Sequence, residues 1–152
     1  MPEGTYTEQL HLPRITIWNF IKDMNHWAPL VPGYISHQIR NDKQSTWKFK
    51  GDLGFIQKKI HLRVDITEWK EPSLITFNLT GLNEKFSGNG YFKAQEKTDS
   101  ITNITGHLAI TARGLKGALI NGVLKSFVPN LTRELTANIT EKLQANLVQD
   151  GE

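Results

Sequence analysis

The chain has 152 residues, 38% of them hydrophobic, with 18 Lys and Arg against 15 Asp and Glu and no cysteine. That is chain enough for one domain with a sizeable core, and the excess charge of +3 is too small to mark a nucleic-acid binder. The missing cysteines exclude disulfides, thiol nucleophiles and thiolate metal sites. No apolar run reaches membrane-spanning length, and the first residues lack the basic-then-apolar pattern of a secretory signal, so one cytoplasmic domain over residues 1–152 is expected.

From the N-terminus, residues 5–12 alternate weakly and read as a first strand. Pro13 follows, where the first turn of a helix tolerates it. Ile17, Trp18, Phe20 and Ile21 give that helix an apolar face, and Lys22 and Asp23 close it. A second short helical turn carries Trp27, since Pro29 and Pro32 forbid continuation. The period then changes to two. Strands are expected at 35–40, 46–53, 56–69, 74–82, 86–96 and 101–113. The breaks at 41–44, Gly54, 71–73, 83–85 and 98–100 have good turn chemistry. All are short, so neighbouring strands pair antiparallel as a meander. No helix-length segment interrupts them to permit a parallel sheet.

Lys48, Lys50, Lys58, Lys59 and Arg63 cluster along two of these strands with only Asp52 among them. They read as a solvated face that discourages edge pairing; anionic lipid, nucleic acid or an acidic partner are the alternatives. Four Asn-x-Thr triplets, at Asn78, Asn103, Asn130 and Asn138, match the glycosylation acceptor pattern but are incidental without a signal segment.

The last element is a helix from about Lys116 to Leu147, roughly 48 Å long, in a domain about 40 Å across. Pro129 removes one donor inside it and predicts a kink. Leu115, Leu119, Ile120, Val123, Leu124, Phe127, Val128 and Leu131 spread over more than half of its circumference. Beyond them Leu135, Ile139, Leu143 and Leu147 form a narrow stripe. A wide arc can face two things at once. Leu119, Val123 and Phe127 are read as facing the sheet. Ile120, Leu124 and Val128 form an outer part that packs on the first helix or meets a membrane or a partner.

Alternation places Trp47, Phe49 and Leu53 inward, with Leu62, Val64 and Ile66, then Ile75, Phe77 and Leu79. Phe92 and Ala94 follow, then Leu108, Ile110 and Ala112. Gly51, Gly88, Gly90, Ala94 and Ala112 give up volume on that face, which predicts either sheet curvature or a ligand-sized cavity under the last helix.

A strand, two short helices, a six-strand meander and one long helix define a curved seven-stranded antiparallel sheet wrapped around that helix, an α+β layout. With residues 17–23 (IWNFIKD), Trp27, 31–33 (VPG), Ser87 and Gly88, and 114–117 (GLKG), the chain resembles the START-like, helix-grip superfamily (SRPBCC, polyketide cyclase-like). Within it, the chain is similar to the CoxG-like branch, named for a component of the carbon monoxide dehydrogenase system. The resemblance implies a ligand pocket between sheet and helix. It also implies, as alternatives, an accessory role in the assembly or membrane attachment of a molybdenum-containing hydroxylase, or a polyketide cyclase or dehydratase.

The pocket so expected is apolar and aromatic, lined by Trp27, Tyr34, Trp47, Phe49, Phe77, Leu79, Phe92, Leu108, Ile110, Leu119, Val123 and Phe127. Trp27 and Tyr34 would stand near one mouth, or simply pack in the core. Catalysis would need convergent polar groups, and His11, His26, His37, His61 and His107 fall on separate elements without ligand spacing. Asp65 and Glu68 look outward or terminal. No catalytic residue, metal or cofactor is expected. The reading is a carrier of a lipid- or quinone-like molecule, with a partner enzyme or membrane surface as a further contact.

Overall fold

The computed structural model describes residues 2–52 and 57–150. Strand β1 (Glu3–Leu10) leads to helix α1 (Arg14–Ile21) and one-turn helix α2 (Met24–Trp27), then a 3-10 turn at Ala28–Leu30. Six strands follow: β2 (Tyr34–Ile39), β3 (Gln44–Asp52), β4 (Gln57–Lys70), β5 (Leu74–Gly81), β6 (Phe86–Thr98) and β7 (Ile101–Ala112). Helix α3 (Gly117–Asp150) ends the chain. Leu53, Gly54 and Ile56, expected to end one strand, break it and open the next, lie outside the described residues.

The seven strands form one antiparallel sheet in the order β1-β7-β6-β5-β4-β3-β2, with β1 closing the meander against β7. Local chemistry sets the junctions. The Asp23 carboxylate accepts from the Asn25 amide and caps α2. Gly33, at φ 79°, turns the chain into β2 so closely over β3 that a Cβ there would lie 2.1 Å from the Lys50 carbonyl oxygen. The first strand stops at Leu10, short of the expected end. Leu12 is buried beyond it, its carbonyl accepting from the Thr102 hydroxyl at 2.8 Å.

The inward register follows the alternation: Trp47, Phe49, Leu62, Val64, Ile66, Ile75, Phe77, Leu79, Phe92, Ala94, Leu108, Ile110 and Ala112 are all buried. A bulge between Ile66 and Glu68 shifts the parity of β4. Glu68 is therefore exposed, and Trp69 turns back to meet Trp18 of α1 edge-on at 6.2 Å between centroids.

Helix α3 is 34 residues long, about 51 Å at the usual rise, and it lies across β1 and β7. Its orientation differs from the sequence expectation. Leu124 and Val128, read as outer positions against α1 or a membrane, are 2% and 0% exposed. They continue into Leu131, Leu135, Ile139 and Leu143, all buried. Leu119, read as facing the sheet, is 67% exposed. The true seam runs about 100° around the helix from the expected one, the angle between successive residues.

Glycines on two strands let α3 approach. A Cβ at Gly4 would lie 2.6 Å from the Pro129 Cα, and one at Gly106 would lie 2.3 Å from the Thr136 hydroxyl oxygen. The helix is therefore seated directly on the β1 and β7 backbones.

Candidate ligand-binding site

Among the described residues, two small voids lie between the sheet and α3. The larger, about 50 Å³, is walled by Trp27 and Val31 from the helical connection, by Trp47, Phe49, Leu62, Val64, Phe77, Leu79, Leu108 and Ile110 from the sheet, and by Leu131 and Leu135 of α3. The smaller, about 20 Å³, shares Phe49, Leu62, Leu79 and Ile110 with it and adds Ile60, Phe86, Ser87, Leu124 and Phe127. The shared walls make them two compartments of one apolar interior.

Seven of the twelve residues expected to line a pocket wall the larger void: Trp27, Trp47, Phe49, Phe77, Leu79, Leu108 and Ile110. Phe127 walls the smaller one. Phe92 stands behind Trp27, with ring centroids 5.2 Å apart, and reaches neither. Tyr34 is half-buried at the edge, where its hydroxyl donates to His37 Nδ1 at 2.6 Å while His37 Nε2 donates to Asn25 Oδ1 at 2.6 Å. Val123 lines only an outer groove. Leu119 lines neither void, because the seam of α3 is rotated away from it. Leu124, Leu131 and Leu135, which do line the voids, could have been found only by fixing that rotation.

The volume that the small residues give up is occupied. A Cβ at Gly90 would come 2.7 Å from the Phe77 ring, so that ring already fills the space. This is the physical reason that the interior falls far short of the roughly 300–1,000 Å³ of a typical ligand pocket.

The voids expose no polar surface. The polar atoms of their aromatic walls are turned away and satisfied. Trp27 Nε1 donates to the Ile21 carbonyl at 2.9 Å, and Trp47 Nε1 donates to the buried Ser45 hydroxyl at 2.7 Å. Among the described residues, no titratable side chain lines either compartment. Asp65 lies on the opposite face of β4. Burial pushes its carboxyl up, but hydrogen bonds from Gln44 and Arg63 and the Arg63 charge outweigh this and hold it below its ordinary value.

Outside the voids, a groove of about 750 Å³ runs between α3 and the Pro32 and Gly33 turn, with Lys50, Asn130 and Glu134 on its rim. Phe127 and Leu131 face this groove and also wall the smaller and larger void respectively. Two side chains of α3 thus stand between the outer groove and the apolar interior.

A protein-family model matches residues 1–146. No curated protein matches the chain. Several solved structures share the fold. A START superfamily protein from Mycobacterium smegmatis is 13% identical, with a TM-score of 0.73 over 94% of this chain and 97% of that one. The Zhui aromatase/cyclase from Streptomyces sp. R1128 is 12% identical, with a TM-score of 0.72 over 95% and 94%. A norcoclaurine synthase from Thalictrum is 8% identical, with a TM-score of 0.68 over 95% and 94%. Among the described residues no helix is long and apolar enough to cross a membrane.

Proposed function

We propose that the chain, which shares the fold of a START superfamily protein and of an aromatase/cyclase, binds and carries a hydrophobic small molecule, lipid- or quinone-like, without transforming it. The observation that supports this reading is the apolar and aromatic surface that the two compartments under α3 present, with Ser87 the one polar residue among their described walls. An acid–base or nucleophilic step needs a positioned polar group at the reacting atoms, and the one polar residue among the described lining, Ser87, exposes no polar surface to the void. A cyclase of the kind named among the structural neighbours would need such a group.

With about 50 Å³ free, the closed form holds less than the roughly 150 Å³ that accommodates benzene in an engineered apolar cavity. Uptake therefore proceeds through an opened form in which Phe127 and Leu131 swing toward the outer groove and join it to the voids. Such a minor form, a few kcal/mol uphill, is populated at about 0.1–10%, and the apparent affinity falls by that fraction.

Native mass spectrometry of the protein purified without detergent tests the reading. The expected result is a mass increment from a co-purified apolar compound that appears in a solvent extract. An apo mass throughout, together with no uptake from added lipid or quinone extracts, would sink it.

The small closed volume favours one second reading. In it the interior is only a core, and the chain serves as an accessory protein in the assembly or membrane attachment of a molybdenum-containing hydroxylase, as the likeness to the CoxG-like branch implies. Co-purification of such an enzyme with an apo chain distinguishes it.

A further inference from the structure

The start of α3 carries an exposed apolar tip that the interior does not use. Leu115, in the turn just before α3, is 108% exposed, and Leu119, in the first turn of the helix, is 67% exposed. Leu82, just after β5, is 45% exposed and lines the same open groove of about 700 Å³ as Leu115 and Ile120. A lone exposed leucine needs no account. A set drawn from two elements at one end of the molecule does.

The charge around this tip is mainly positive. Lys58, Lys85, Arg113 and Lys116 line the groove, and the one carboxylate among its described lining residues, Glu84, pairs with Lys58. The backbone holds the others beside the leucines. The Arg113 amide donates to the Lys85 carbonyl at 2.8 Å. Gly114, at φ 91°, lies so close under Lys85 that a Cβ would come 3.1 Å from its Cδ. The positive end of the α3 dipole adds to the same field.

We propose that this tip docks on an anionic lipid bilayer, with Leu115 and Leu119 entering the acyl boundary and Lys85, Arg113 and Lys116 among the headgroup phosphates. Charge complementarity selects the occupant. A second copy would bring its own cations against these. A protein partner would need pockets shaped for leucines that project from the surface, whereas an acyl layer accepts them in any arrangement. The basic ring matches the negative potential of anionic lipid.

Co-sedimentation with phosphatidylcholine vesicles, with and without about 30 mol% phosphatidylserine, tests the proposal. Binding is expected only to the anionic vesicles and weakens as salt screens the charges. Leu115→Glu and Leu119→Glu should each lower the partition coefficient about tenfold, and Lys85→Glu and Lys116→Glu about fivefold each. All four side chains are exposed, so thermal melts of the variants should match the parent. The proposal is overturned by absent binding, by equal binding to neutral vesicles, by a double-leucine variant that binds like the parent, or by a dimer that Leu115→Glu dissociates. Ligand carriage does not depend on any of these results; the proposal deepens the membrane-attachment reading by naming its surface and its lipid, and co-purification of a hydroxylase tests that reading separately.

Discussion

At the residue scale, the fold depends on where side chains are missing as much as on where they pack. Gly106 lets Thr136 of α3 sit against β7, and the Thr136 hydroxyl is fixed there by donating to the Thr132 carbonyl at 2.8 Å. Gly106→Ala should therefore cost about 1–3 kcal/mol, the usual cost of overpacking. Thr136→Ala in the same background should recover much of it, because the atom in the way is gone. Urea denaturation of the two single variants and the double variant measures this coupling. Simple additivity would show that the helix does not rest on the β7 backbone. Nothing in the sequence marked Gly106 as a seat, since it falls in a strand whose alternation reads the same with any small residue. Gly90 was visible as a vacancy, but its filling by Phe77 depends on a pairing across β5 and β6.

At the element scale, the strands were legible and the face of α3 was not. In β3 to β7 an apolar set at period two marks the inward side, whereas in β2 the set at that period, Ile35 and Ile39, is exposed, and register shifts in β2, β4 and β6 escape the rule. Along α3 two apolar lines compete over the first turns. What decides between them is a set of buried polar residues, Thr132, Thr136 and Thr140, at 2%, 1% and 4% exposure. Their hydroxyls bond back to the Val128, Thr132 and Ala137 carbonyls, so burying them leaves no unpaired donor. A reading by hydropathy counts them as surface.

The same contrast predicts dynamics. From Leu124 to Leu143 the helix is anchored by buried side chains, whereas Ala118, Leu119 and Gly122 are exposed. Hydrogen exchange should show amides 118–123 opening much faster than amides 132–143, since few buried contacts resist the local event. Uniform protection along the helix would contradict a loosely held first segment.

At the scale of the whole molecule, the architecture and the apolar character of the interior were legible in the sequence, but its volume was not. Volume is the difference between the space that the backbone encloses and what the rings fill, and interiors fill to crystal-like density. Here Trp27, Trp47, Phe77 and Phe92 pack edge-to-face or tilted in one cluster, leaving two compartments that a ligand must enlarge. The groove behind Phe127 and Leu131 supplies the direction of that enlargement. The central claim is therefore that the interior opens to admit an apolar molecule. The most direct measurement is a titration with 2-methyl-1,4-naphthoquinone followed by tryptophan fluorescence, comparing the parent chain with Val64→Phe, which plugs the larger void. Saturable quenching in the parent, lost in a variant that still melts cooperatively, is the result expected. Equal quenching in both, or none in the parent under conditions where added lipid also fails to bind, would contradict a ligand in that interior.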